Sequence, residues 1–204
     1  MNVETIGLIS GLLTIASVIP YSIRTYQRKI HPNLTSWALW TAIGLALLLT
    51  YKSSGAKANI WPAIFGFTNP LLVLIIMIRQ KIGQWEKLSK TEIACIVLGI
   101  SSLILWLIVR ENRVLSSYAL YLAIFADACA AIPTIVYVWK SPQGERPFAW
   151  SLYAFGYGLA IFAITEQTFA NYILPVYMFT GGMLITIPLV RYRLRKLDPL
   201  SEYI

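Results

Sequence analysis

The chain has 204 residues, of which 57% are hydrophobic and only 13% charged, and its apolar runs are longer than a soluble core uses. The net charge of +8 is carried between those runs, so the chain lacks the solvated basic stripe that nucleic acid requires, and no nucleic-acid partner is expected. One histidine, His31, and two cysteines, Cys95 and Cys129, form no ligand cluster; no metal or other cofactor is expected, and the cysteines read as small buried hydrophobes.

Taken in order, the apolar runs predict seven membrane spans, at 4–28, 33–53, 57–79, 91–110, 114–139, 147–168 and 171–192. Each is near the ~20 residues that cross a bilayer as a helix. No basic residue precedes the first run, so that run is expected to stay as the first helix and not be removed as a signal peptide. Asn33-Leu34-Thr35 has the form of a glycosylation acceptor but reads better as the cap of the second span.

Thirteen of the seventeen basic residues follow spans one, three, five and seven; only Lys52, Lys57, Arg110 and Arg113 lie on the other side. The positive-inside rule then puts the N-terminus outside and the C-terminus in the cytoplasm. The short loops suit a bacterial cytoplasmic (inner) membrane, and the basic run from Arg191 to Lys196 is expected to meet anionic lipid heads of the bilayer. Glu166 is expected to face the outer aqueous layer, and Glu111 to pair with Arg110 or Arg113.

The chain also repeats itself. Ile19-Pro20 and Trp37 return 113 residues later as Ile132-Pro133 and Trp150, and the same offset carries Pro62 onto Pro175 and Leu71 onto Leu184 without a gap. Because one span separates the copies, both start on the same side. The predicted fold is therefore an all-α membrane protein of seven transmembrane helices in two parallel repeats, 1–82 and 113–194, with a linker helix in 83–112 and a cytoplasmic tail, 195–204: a 3+1+3 arrangement within one structural domain.

Counting inward from the span ends, the polar and small residues nearest mid-depth are Thr14, Gly44, Asn69, Asp127, the Gly156-Tyr157-Gly158 run and Thr180 to Gly182. Asp127, Asn69, Thr14, Tyr157 and Thr180 are the candidate solute contacts, since carriers of this kind bind at mid-depth between repeats; glycine and threonine equally allow close helix packing. Asp127 is costly: an ionised carboxylate at the bilayer centre costs ~2.5 to 3.5 kcal/mol on the lenient insertion scale, and no basic residue shares its depth. It is expected to stay protonated or to face water and bind a cation, a proton or an amine, which makes it the candidate for proton coupling or for recognition of a cationic solute. Its counterpart in the first repeat is the neutral Thr14.

Pro20 and Pro133, near the inner ends of spans one and five, are candidate hinges or gates because each deletes a helix bond; Pro62 and Pro175 are the corresponding pair near the outer side. Trp37 with Trp40, and Trp150 with Tyr153, are three apart and read first as interfacial anchors, with a stacking floor for a ring as the sharper alternative.

These features resemble the Pro-Gln-loop superfamily, which includes the SWEET sugar transporters, their half-sized bacterial relatives and the lysosomal cystine exporter. Its mark is a proline near the cytoplasmic end of the first helix of each repeat, commonly Pro-Gln, then a basic turn and a Ser/Trp-rich helix start. Here those places read Pro20-Tyr21 and Pro133-Thr134, without the glutamine. The resemblance implies the 3+1+3 fold, an external N-terminus and secondary transport. The aromatic and asparagine pair of the sugar carriers falls on Leu48 and the Phe65 to Phe67 neighbourhood, which does not favour a sugar; the cystine-exporting branch uses intramembrane acids for proton coupling, and the resemblance implies that Asp127 could act as one.

The expected function is transport of a small polar solute, a sugar, amino acid, amine or vitamin, by alternating access. The alternative is a receptor or sorting protein of similar fold that binds without transporting. An enzyme is not expected, because the spans supply one acid and no nucleophile with its base. The oligomeric state is open, a homo-oligomer included.

Overall fold

A computed structural model describes residues 2–30, 32–83, 87–199 and 203; His31 and the end of the tail lie outside them. Among the described residues there is no strand. Seven helices follow one another: α1 Val3–Tyr26, α2 Leu34–Ser53, α3 Trp61–Gln80, α4 Lys90–Val109, α5 Arg113–Lys140, α6 Pro147–Ala160 and α7 Phe169–Lys196. Side chains cap several of them. Asn2 accepts the Thr5 N–H at 2.8 Å, Asn33 accepts the Ser36 N–H at 3.0 Å as its sequence context suggests, and Ser89 with Glu92 forms a reciprocal box at the start of α4.

Six of the helices, with α3 extended by the 3-10 turn Ala58–Ile60, are long and apolar enough to cross a membrane. Their outward faces agree with this. On α4 the exposed residues Ile93, Val97, Ile100, Ile104 and Leu107 make an aliphatic stripe at spacings of four and three, while the inward residues are Cys95, Gly99 and Ser102. Apolar outside and small inside is the pattern of a helix between lipid and protein. Both cysteines are free thiols, Cys95 buried and Cys129 half-buried.

Helix α6 departs from expectation. The span foreseen to residue 168 ends as α-helix at Ala160, adds the 3-10 turn Ile161–Ala163, and gives way to a loop in which Thr168 caps α7. At the other end, α7 runs through Arg191, Arg193, Arg195 and Lys196, whose charges complement the negative end of its dipole. Arg193 turns inward and is buried, donating to the Glu145 carbonyl at 2.9 Å and pairing with Asp198 at 3.7 Å, so it does not face lipid heads.

Around the bundle, α3 packs between α1 and α2, and α7 between α5 and α6; α1 lies against α6, α2 against α5, and α4 flanks α5 and α2. Small residues permit these seams. A Cβ at Gly156 would lie 2.9 Å from the Ser10 carbonyl oxygen, and one at Gly44 would lie 3.0 Å from that of Gly66.

Prolines interrupt several helix ladders, and at two of them another helix supplies the missing donor. Pro175 offers no N–H to the Asn171 carbonyl, which instead accepts Tyr51 Oη–H from α2 at 2.8 Å; Pro188 leaves the Leu184 carbonyl to Trp139 Nε1–H from α5 at 2.9 Å. Pro62 stands in the first turn of α3, where proline removes a bond that the helix start lacks anyway.

Candidate functional site

A cavity of about 1340 Å³ runs into the bundle between helices of both three-helix sets. Its mouth lies at the end where α1, α5 and α7 finish and α2 and α6 begin, beside Arg24, Asn33, Gln143, Arg146 and Arg193. This is the end that carries most of the basic residues. Pro20 on α1 and Pro133 on α5 line it on opposite sides. Its depth is reached at Leu47, Ala63, Gly66, Asn69, Asp127 and Tyr157.

Of the five candidate contacts, the fold brings three to this cavity: Asp127, Asn69 and Tyr157. Asp127 is half-buried in the middle of α5, and one carboxylate oxygen accepts Tyr177 Oη–H from α7 at 2.7 Å. Tyr157 donates to the Pro62 carbonyl at 3.1 Å, tying α6 to α3 across the cavity's end. Asn69 spends its amide on the Thr14 carbonyl at 2.8 Å. Thr14 itself is fully buried, bonded to the Ser10 carbonyl at 2.9 Å and packed against Gly156, so it shapes the α1–α6 seam and does not face the cavity. Thr180 is exposed on the outer face of α7, its hydroxyl bonded to Val176 O at 2.8 Å.

The paired aromatics read as interfacial anchors line the cavity instead. Trp37 and Trp40 enter from α2 edge to face with ring centroids 5.6 Å apart, Trp150 and Tyr153 from α6 likewise at 6.3 Å, and Tyr157 extends the second row at 5.0 Å from Tyr153. Spacings of three and four put each set on one helix face. Glu145 lies at the mouth, where burial raises its carboxyl above the ordinary glutamate value against an opposing hydrogen bond from Trp150.

Beyond the cavity's end the bundle is sealed. Tyr51 bonds Asn59 and the Asn171 carbonyl, and the Asn171 amide donates to Glu166 O at 3.0 Å. Glu166 does not simply face water: its carboxylate is forked between Lys57, at 2.7 Å, and Arg113, which also donates to Ser54 O at 3.1 Å. Hydrogen bonds from Lys57 and Arg113 favour its charged form and hold the carboxyl pKa below the ordinary glutamate value. Glu111 pairs with Arg110 at 3.4 Å.

The chain matches no family model, no curated protein and no solved structure. The site therefore rests on its own geometry. Sequence reading missed Tyr177, the Tyr51-Asn59-Asn171 cluster and the fork at Glu166. A tyrosine within the last span, fifty residues from Asp127, was the available signal for the first; the other two join helix ends and loops whose proximity only the fold sets.

Proposed function

We propose that the chain is a secondary transporter that moves a small polar solute by alternating access, with Asp127 as the group that couples flux to protons. The observation that carries this reading is a largely aromatic cavity, open at one end of the bundle and closed at the other, reaching an intramembrane carboxylate at mid-depth. A site accessible from one side at a time is the requirement of such a carrier.

The moving parts are two parallel three-helix repeats, 1–82 and 113–194, joined by the linker in 83–112. Supporting this, the packing order α1-α3-α2 has its counterpart in α5-α7-α6, and the cross-contacts α1 with α6 and α2 with α5 exchange under the 113-residue offset. The resemblance to the Pro-Gln-loop superfamily points the same way. With the basic end in the cytoplasm of a bacterial inner membrane, the N-terminus is outside and the conformation is inward-open. Pro20 and Pro133 flex the two sides of the mouth, while the outer seal must part in the opposite state.

Proteoliposomes with an imposed pH gradient test this, using sugars, amino acids, amines and vitamins chosen by thermal shift at two pH values. Saturable uptake is expected, and Asp127→Asn should lose its pH-driven part while remaining folded. Tight binding with no flux for any ligand would overturn transport in favour of a receptor.

A further inference from the structure

The deep end of the cavity is chemically one-sided. Its walls from α2, α6 and α7 are aromatic: Trp40, Tyr153, Tyr157 and Tyr177 line it, with Trp37 and Trp150 nearer the mouth. Facing them is one carboxylate, Asp127, held through a single oxygen by Tyr177. No Lys or Arg among the described residues pairs with it. The guanidinium groups that line the cavity are at its mouth: Arg193 stands sixteen residues beyond Tyr177 on the same helix, about 24 Å at the rise of an α-helix, and is engaged by the Gln143 and Glu145 carbonyls and Asp198. Arg24 lies in the last turn of α1, and Arg146 immediately precedes α6, ahead of Trp150 and the tyrosines.

A negative charge without a positive partner, in a cavity lined by aromatic rings whose faces can attract cations, is a site for a positively charged ligand with an apolar body. A sugar would leave the charge uncompensated. A zwitterionic amino acid would bring a second carboxylate to a depth that has no cation to receive it.

We propose that the cavity binds an organic cation, a quaternary or protonated tertiary ammonium on an aromatic or aliphatic body, between Asp127 and the aromatic walls, in competition with a proton at that carboxylate. Protonation removes the charge the ligand needs, so the two occupants exclude each other. In a carrier, which the preceding reading supplies, that exclusion makes their fluxes opposed; binding itself does not depend on it.

The other titratable groups toward Asp127 are Tyr177 from α7, Tyr153 and Tyr157 from α6, and Cys95 from α4, with Cys129 beside it on α5; α2 presents Trp40, Gly44 and Leu47, which do not titrate. Phenols and thiols gain no charge in mildly acidic solution. Glu145, the other cavity carboxylate, is at the mouth, and Glu145→Gln serves as its control.

The test is equilibrium binding of phenyltrimethylammonium to the full chain in lipid nanodiscs, followed by tryptophan fluorescence, at pH 8 and pH 5.5, beside its uncharged isostere tert-butylbenzene. The ammonium should bind at least tenfold more tightly than the isostere, and at least tenfold more weakly at the lower pH. Asp127→Asn should erase both differences, Asp127→Glu and Glu145→Gln should keep them, and Trp40→Leu should weaken binding severalfold with its pH dependence intact. Should Asp127→Asn not insert, the isostere ratio and the pH dependence of the unaltered chain decide alone. Equal affinity for the two probes, or affinity flat with pH, overturns the inference. Binding with these signatures but no flux overturns transport and leaves the cation site standing; flux of a neutral solute through a protein that ignores the ammonium does the reverse.

Discussion

Helices α1 to α3 and α5 to α7 put matching aromatics at the cavity and different chemistry at mid-depth. Under the 113-residue offset Trp37 and Trp40 correspond to Trp150 and Tyr153, and all four line the same space. Yet Thr14 stands for Asp127, Gly44 for Tyr157 and Ile64 for Tyr177. In the first set Thr14 and Gly44 close seams: Thr14 packs on Gly156 and Gly44 lets α2 approach the backbone at Gly66. In the second they supply the carboxylate, its hydrogen-bond donor and the phenol at the cavity's end. A shared frame can thus set the shape of a site while a few unmatched positions set its charge.

The strongest way to break that contrast is to move the acid. Thr14→Asp puts a carboxylate in a packed seam with no cavity beside it, and should destabilise by at least the ~2.5 to 3.5 kcal/mol of a mid-membrane charge; Asp127→Thr should fold. Size-exclusion profiles and thermal melts in one detergent compare them, and a Thr14→Asp protein that melts like the parent would show the halves to be interchangeable. Next in size is Gly156→Ala, whose methyl group meets Thr14 and the Ser10 carbonyl oxygen and should cost about 1–3 kcal/mol. Gly181→Ala is its control. No atom lies within 4 Å of the added Cβ, so the melt should be unchanged or rise by up to about 1 kcal/mol from helix propensity.

The contrast also explains what could be read in advance. Six spans and the Asn33 cap follow from the length of apolar runs and from local side-chain chemistry, both of which are written in neighbouring residues. The end of α6 does not, because Ile161 to Ile164 is as apolar as the helix before it, while Thr168 and the fork at Glu166 draw the following segment into a loop. Depth was legible too: Thr14, Asp127 and Thr180 are each central in their helices. Direction around the helix was not. In lipid both faces are apolar, so no polar stripe marks the inward side, and Thr180 points out where Asp127 points in.

A comparable effect is expected at the seal. Tyr51→Phe removes the donor that replaces the bond lost to Pro175 and leaves the Asn171 carbonyl buried and unpaired, at about 1–3 kcal/mol. If melting is unchanged, the seal does not hold the two sets together. At its rim, the Glu166 carboxyl is more acidic when folded than unfolded, so its pairing with Lys57 and Arg113 stabilises fully above the ordinary glutamate value and is lost as pH falls through the lower folded value. Melts from neutral to acidic pH should show that loss in the parent and not in Glu166→Gln.

The smallest effect belongs to Thr180→Val. The hydroxyl is on the outer face of α7 and bonds only its own helix, to Val176 O, so valine keeps the shape and removes a bond that no other helix uses. Ligand affinity and uptake should stay within about twofold of the parent, since a helix-internal hydroxyl of this kind contributes little to stability. A tenfold loss would bring the outer face of α7 into the function, and the cavity between the two sets would then be only part of the site.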